Sequence, residues 1–175
     1  MNAYPKPGTI GLSVIGGTVG GMIRLGQGLT GDWSYWTHAF LTLDNGEVIQ
    51  AMPKGAEIVP LSGYAESAVF LTQWPRPTDT QRLDIVRWAR AQEGRKYNFL
   101  DYVYLALPSA LRGGLREHIK KSGRVICSQL VDEAYRYAGV QLFDDGREPH
   151  DVTPGDLVIE YVRRLSAYGS PDSDV

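Results

Sequence analysis

A chain of 175 residues, 43% hydrophobic and 22% charged, has the size and balance of one globular domain with its own core. A formal charge of −2 gives no general attraction to nucleic acid or to an anionic membrane, and no segment is long and apolar enough to span a bilayer. A lone cysteine excludes an internal disulfide and a multi-cysteine zinc site, and His38, His118 and His150 lie too far apart for metal-ligand spacing, so no cofactor is expected.

The first residues, Met1 to Gly8, carry two prolines and no hydrophobic run after a basic start. No signal peptide is expected, and the chain should stay in the cytoplasm unless it is assembled into something larger. Residues 8–31 are rich in glycine, with Gly16-Gly17-Thr18-Val19-Gly20-Gly21 at their centre. Neither a Gly-Lys-Ser/Thr ending nor dinucleotide spacing follows, so this stretch reads as a strand and then a flexible or closely packed turn. The β-prone runs Trp36–Leu43 and Glu47–Met52 flank Asn45-Gly46, which is the strongest short-range signal for a hairpin. Strands over Ala56–Leu61 and Ala68–Trp74 extend an antiparallel sheet, which Pro75 and Pro77 end.

A helix is predicted from Thr78-Asp79 to Glu93, stopped by Gly94, and a second from Tyr97 to Leu107, stopped by Pro108. Residues 108–123 read as a loop or short helical insertion, of a length often used as a pocket wall or lid. An amphipathic helix starts at Cys127 and ends at Gly139, and Val152–Leu157 opens a short final helix. The tail from Ser166 onward is small and polar. Thirteen arginines against five lysines, with 20 glycines, suit a GC-rich bacterial or phage genome.

Cys127 is the residue on which function turns. At a helix N-terminus the partial positive charge of unpaired N–H groups stabilises a thiolate and draws the thiol pKa down from about 8.5 toward neutrality. Cys127 is also in phase with Leu130, Val131, Ala134 and Ala138, the spacing of a core-facing stripe, and buried cysteine is commonly a small hydrophobe. A nucleophile needs a base, and the base needs a partner to orient it. His38, in the strand before the hairpin, is the natural base.

The order of these pieces resembles the circularly permuted NlpC-type papain-like hydrolases, the group of the YiiX-like and lecithin retinol acyltransferase-like enzymes. The matching stretches are Thr37–Phe40, Gly46–Ala51, Gly55–Leu61, Gly94–Asn98, Cys127–Val131 and Thr153–Leu157, spanning most of the chain from about residue 8 to 160. The resemblance implies an α+β fold: one domain over residues 1–165, an antiparallel, barrel-like sheet packed against helices in permuted papain-like order, and a flexible tail over 166–175. It implies Cys127 as nucleophile, His38 as general base, and Gln50 as the polar group orienting His38. It also implies an oxyanion and substrate pocket near Cys127, with Tyr97 and Ser128.

Gln50 stands where the group often has glutamate. Its register also matters: a two-residue Asn45-Gly46 turn would pair Gln50 with Leu41, facing away from His38. A three-residue loop over Asn45–Glu47 would pair it with Thr42, on the His38 face. Glu47 and Thr42 are the fallback partners. The expected activity is a cysteine peptidase or amidase acting on an amide, plausibly a peptide of the bacterial cell wall. Ester, thioester or lipid-acyl chemistry is a close variant. A scaffold or binding module with the same fold, such as a phage tail or virion component, is the alternative from another class.

Overall fold

The structure is a computed structural model that describes residues 5–16, 21, 34–65, 67, 69–72, 74–96 and 126–168. The hairpin signal at Asn45-Gly46 is realised, with β2 (His38–Thr42) antiparallel to β3 (Glu47–Met52). The connection is a three-residue 3-10 turn, Asp44–Gly46, in which Asn45 and Gly46 take φ values of 59° and 71°. The Leu43 N–H donates to the Glu47 carbonyl at 2.8 Å and closes that turn. Asparagine and glycine are the residues that accept such a left-handed backbone at least cost.

Around this hairpin lie β1 (Ile10–Ser13), β4 (Gly55–Pro60) and β5 (Val69–Leu71), giving one antiparallel sheet in the order β4-β3-β2-β1-β5. β5 therefore joins the far edge, beside β1, rather than continuing next to β4. The sheet is open, not barrel-like: β4 and β5 are its two edges and do not pair with each other. Closure demands strands long enough to tilt and stagger, and β5 has only three residues.

Three helices complete the described fold: α1 (Asp79–Arg90), α2 (Cys127–Tyr137) and α3 (Pro154–Tyr168). Leu130, Val131 and Ala134 of α2 join Ile10, Leu12, Ala39, Leu41, Ile49 and Ala51 of the sheet in one core, together with Ile85 and Ala89 of α1. Each fully buried Leu or Ile contributes about 1.5–3 kcal/mol relative to exposure. The buried Tyr135 hydroxyl donates to the Gly8 carbonyl and ties α2 to the start of β1.

Thr78 caps α1 in a full capping box with Gln81, through bonds of 3.2 and 2.9 Å. Replacing Thr78 by alanine is expected to cost about 1 kcal/mol, read as a lower denaturant midpoint at unchanged slope. α1 ends at Arg90, three residues before Glu93, and a turn over 91–94 closes on Gly94 at φ 80°. α3 is longer than the short helix expected and carries Ser166–Tyr168, residues assigned to the tail. Its length follows from the buried Leu157 and Tyr161 on one face and Glu160 bonded to Arg163 and Arg164, at 2.7 and 2.6 Å, on another. The predicted Tyr97–Leu107 helix, the 108–123 segment and residues 169–175 lie outside the described residues.

Candidate functional site

Register decides whether Gln50 can serve His38. Gln50 pairs with Phe40, one register step from the Leu41 pairing and two from the Thr42 pairing read from the sequence. Because side chains alternate along a strand, Phe40 shares its face with His38, so Gln50 does too. The Gln50 Oε1 atom lies 2.9 Å from Nε2 of His38. An amide oxygen only accepts, so in this arrangement that ring nitrogen carries a hydrogen. His38 is 1% exposed and Gln50 9%, which shields this bond from competition with water.

Neither fallback partner orients His38. Thr42 donates to the Lys6 carbonyl at 2.8 Å and accepts from the Thr9 N–H at 2.9 Å. Glu47 is engaged by Arg90 at 2.6 Å.

Two residues that sequence reasoning missed complete the cluster. Glu57 stands directly opposite Gln50 in the β3–β4 register, and its Oε1 accepts from Gln50 Nε2 at 2.9 Å. Tyr64, in a 3-10 turn over Leu61–Tyr64, donates its hydroxyl to Gln50 Oε1. Its ring stacks on Phe40 with centroids 4.6 Å apart. A carboxylate one strand over from Gln50 was discoverable from the hairpin pattern. Tyr64 sits in an irregular segment that carries no such signal.

Cys127 is the first residue of α2, after Ile126 at the N-cap, which offers no side-chain bond. The leading N–H groups of a helix have no acceptor within it, so this end presents donors and a positive potential. Cys127 has no exposed surface and belongs to the hydrophobic core cluster. It is nonetheless coupled to the polar cluster. Burial pushes the Tyr64 hydroxyl well above its usual range, and negative charge on Cys127 and then on Glu57 pushes it further, against a hydrogen bond from Ser13. Tyr64 is therefore a neutral donor at any physiological pH.

Ser128 is fully buried and its hydroxyl donates to the Val152 carbonyl at 2.6 Å. That bond fixes the start of α2 against the loop that leads into α3. Tyr97 lies outside the described residues. The segment just before it is held on both sides: Gly94 and Arg95 exchange backbone bonds of 2.8 Å with Ala56 of β4. The Arg95 guanidinium also pairs with Glu133 of α2, which accepts from Gln129 at 2.7 Å.

Ser13, Val14, Ile15, His38, Gln50 and Tyr64 line part of a cleft of about 340 Å³. Among the described residues no group of three or more His, Cys, Asp and Glu side chains could hold a metal ion. No described helix is long and apolar enough to cross a membrane. The chain is thus a single α+β domain with an open antiparallel sheet, bearing a buried histidine–glutamine pair and a cysteine at a helix start. No family model matches it, and no match is found among curated proteins.

Proposed function

We propose that the protein is a cysteine hydrolase that cleaves an amide bond through an acyl-enzyme, on a papain-like domain in permuted order. The observation that carries this reading is the 2.9 Å bond from His38 Nε2 to Gln50 Oε1. It leaves Nδ1 as the basic nitrogen, which is the state a general base requires.

In the proposed mechanism Nδ1 takes the Cys127 proton and the thiolate attacks the substrate carbonyl. Backbone N–H groups at the start of α2 stabilise the oxyanion. The imidazolium then protonates the leaving amine, and water, deprotonated by His38, hydrolyses the thioester. Tyr97 is proposed as a further pocket donor, and Ser128 as a residue that holds the oxyanion donors in place through its bond to Val152. The substrate class is a peptide or related amide of cell-wall type, with ester or lipid-acyl transfer as the nearest variant. The protein would act from the cytoplasm or as part of a phage particle.

Alkylation of Cys127 by iodoacetamide over pH 5–9 tests the pairing. The parent is expected to react well below pH 8, and His38→Ala to shift the profile up to an ordinary thiol near 8.5. At pH 5.5 the loss should be about tenfold, after allowing for the greater intrinsic nucleophilicity of the less acidic thiolate. A profile that rises only near pH 8.5 and ignores His38 would instead favour a non-catalytic scaffold. The complete burial of Cys127 in the core is the observation on that side.

A further inference from the structure

A glutamine amide can turn either its oxygen or its nitrogen toward a neighbour, and the two choices impose opposite tautomers on a histidine. With the oxygen facing His38, Nε2 must carry the hydrogen and Nδ1 is the base. With the nitrogen facing it, Nε2 must accept and Nδ1 is protonated. Gln50 has three polar neighbours, and the two besides His38, namely Glu57 and Tyr64, favour the same orientation. Its Nε2 lies 2.9 Å from Glu57 Oε1, and a carboxylate can only accept. Its Oε1 receives the Tyr64 hydroxyl, and the same oxygen lies 2.9 Å from His38. Turning the amide over would bring its oxygen onto the Glu57 carboxylate and would set its N–H against the Tyr64 donor.

We infer that Glu57 and Tyr64 are positioning residues that lock the tautomer of His38 through Gln50, and that Glu57 supplies the negative charge that Gln50 lacks. This rests on the reading of His38 as general base. Glu57 is two hydrogen bonds from the imidazole, so the imidazolium formed on proton transfer faces the Gln50 oxygen and, beyond it, a full charge. Glu57 is half-buried on edge strand β4, where it is partly screened. Tyr64 is fixed independently by its stack on Phe40. The titratable groups of the cluster are His38, Glu57 and Tyr64, with Cys127 acting on Tyr64 from α2. A thiolate at Cys127 would be a second negative charge acting on the cluster, so the effect of Glu57 is to be read with the thiol removed.

The test is long-range proton–nitrogen NMR of the full chain labelled with ¹⁵N-histidine, in a Cys127→Ala background that silences the thiolate. Neutral His38 is expected to populate the Nε2–H form more than tenfold over the other. Glu57→Gln frees the amide to turn, and both tautomers should appear. Tyr64→Phe keeps the ring stack and should erode the tautomer ratio less than Glu57→Gln does. Adding back Cys127 in Glu57→Gln should lower the alkylation rate below pH 7. The proposal is overturned if neutral His38 is Nδ1–H in the parent, or if Glu57→Gln leaves the tautomer ratio unchanged. An intact tautomer lock beside an unreactive Cys127 would sink the hydrolase reading and leave this one standing.

Discussion

Replacing Gly11 by alanine is expected to destabilise the fold by about 3 kcal/mol, at the upper end of what overpacking usually costs. A Cβ at Gly11 would lie 2.2 Å from two atoms of the Phe40 ring, far inside contact distance. The ring cannot swing away, because Phe40 has no exposed surface and is stacked on Tyr64. Gly11 and Phe40 are directly paired across β1 and β2, so neither strand can yield without disturbing the sheet. The strain should also reach the site, since Tyr64 donates to Gln50. Guanidinium denaturation of Gly11→Ala should show a lower midpoint at unchanged slope. A second change, Phe40→Leu, should recover part of the loss in the double variant while costing stability alone. A cost below about 0.5 kcal/mol for Gly11→Ala would contradict the packing described.

Gln50→Glu should not improve the site, although it introduces a carboxylate beside His38. The new carboxyl would face Glu57, whose oxygen lies 2.9 Å from the present amide nitrogen. Two carboxylates at that distance cannot both ionise, so one folded-state pKa is pushed above the unfolded value of about 4.3. A raised acid is protonated in the fold where it is ionised in the unfolded chain. Its favourable contribution is therefore fully present below about pH 4 and is lost as pH rises through the folded pKa. Each unit of elevation costs about 1.4 kcal/mol at high pH. The variant should approach parental stability near pH 4.5 and be about 3 kcal/mol weaker at pH 8. Combining it with Glu57→Gln should flatten that slope, since the pair again holds one charge. A stability difference that is constant from pH 4.5 to 8 would show that the two positions do not face each other. The carboxylate of this cluster thus stands not at position 50 but on the neighbouring strand, at Glu57.

Local signals carried much of the architecture. Asn45-Gly46 between two β-prone runs announces a hairpin because only a few residue types tolerate the left-handed turn. Thr78-Asp79 announces a helix start because the first N–H groups need acceptors, which such side chains supply. The stripe from Cys127 through Leu130, Val131 and Ala134 announces a core-facing helix, and the structure buries all four. These inferences succeed because each rests on forces that act within a few residues of chain.

Three features could be read only from the tertiary structure. The first is the connection over Asp44–Gly46, which sets Gln50 against Phe40 and onto the His38 face. Shifting it by one residue would invert every side chain of β3, and the choice is supported by Arg90 of α1, which holds both Asp44 and Glu47. The second is the edge position of β5 beside β1, which leaves the sheet open where a barrel-like sheet was expected. The third is the convergence of Glu57 and Tyr64 on one amide. By itself the sequence determined the hairpin, the helix starts and the core-facing stripe, since side-chain type and strand or helix period are local properties. The fold alone decided which atoms meet, because a hydrogen bond at 2.9 Å depends on register and strand order summed over distant parts of the chain.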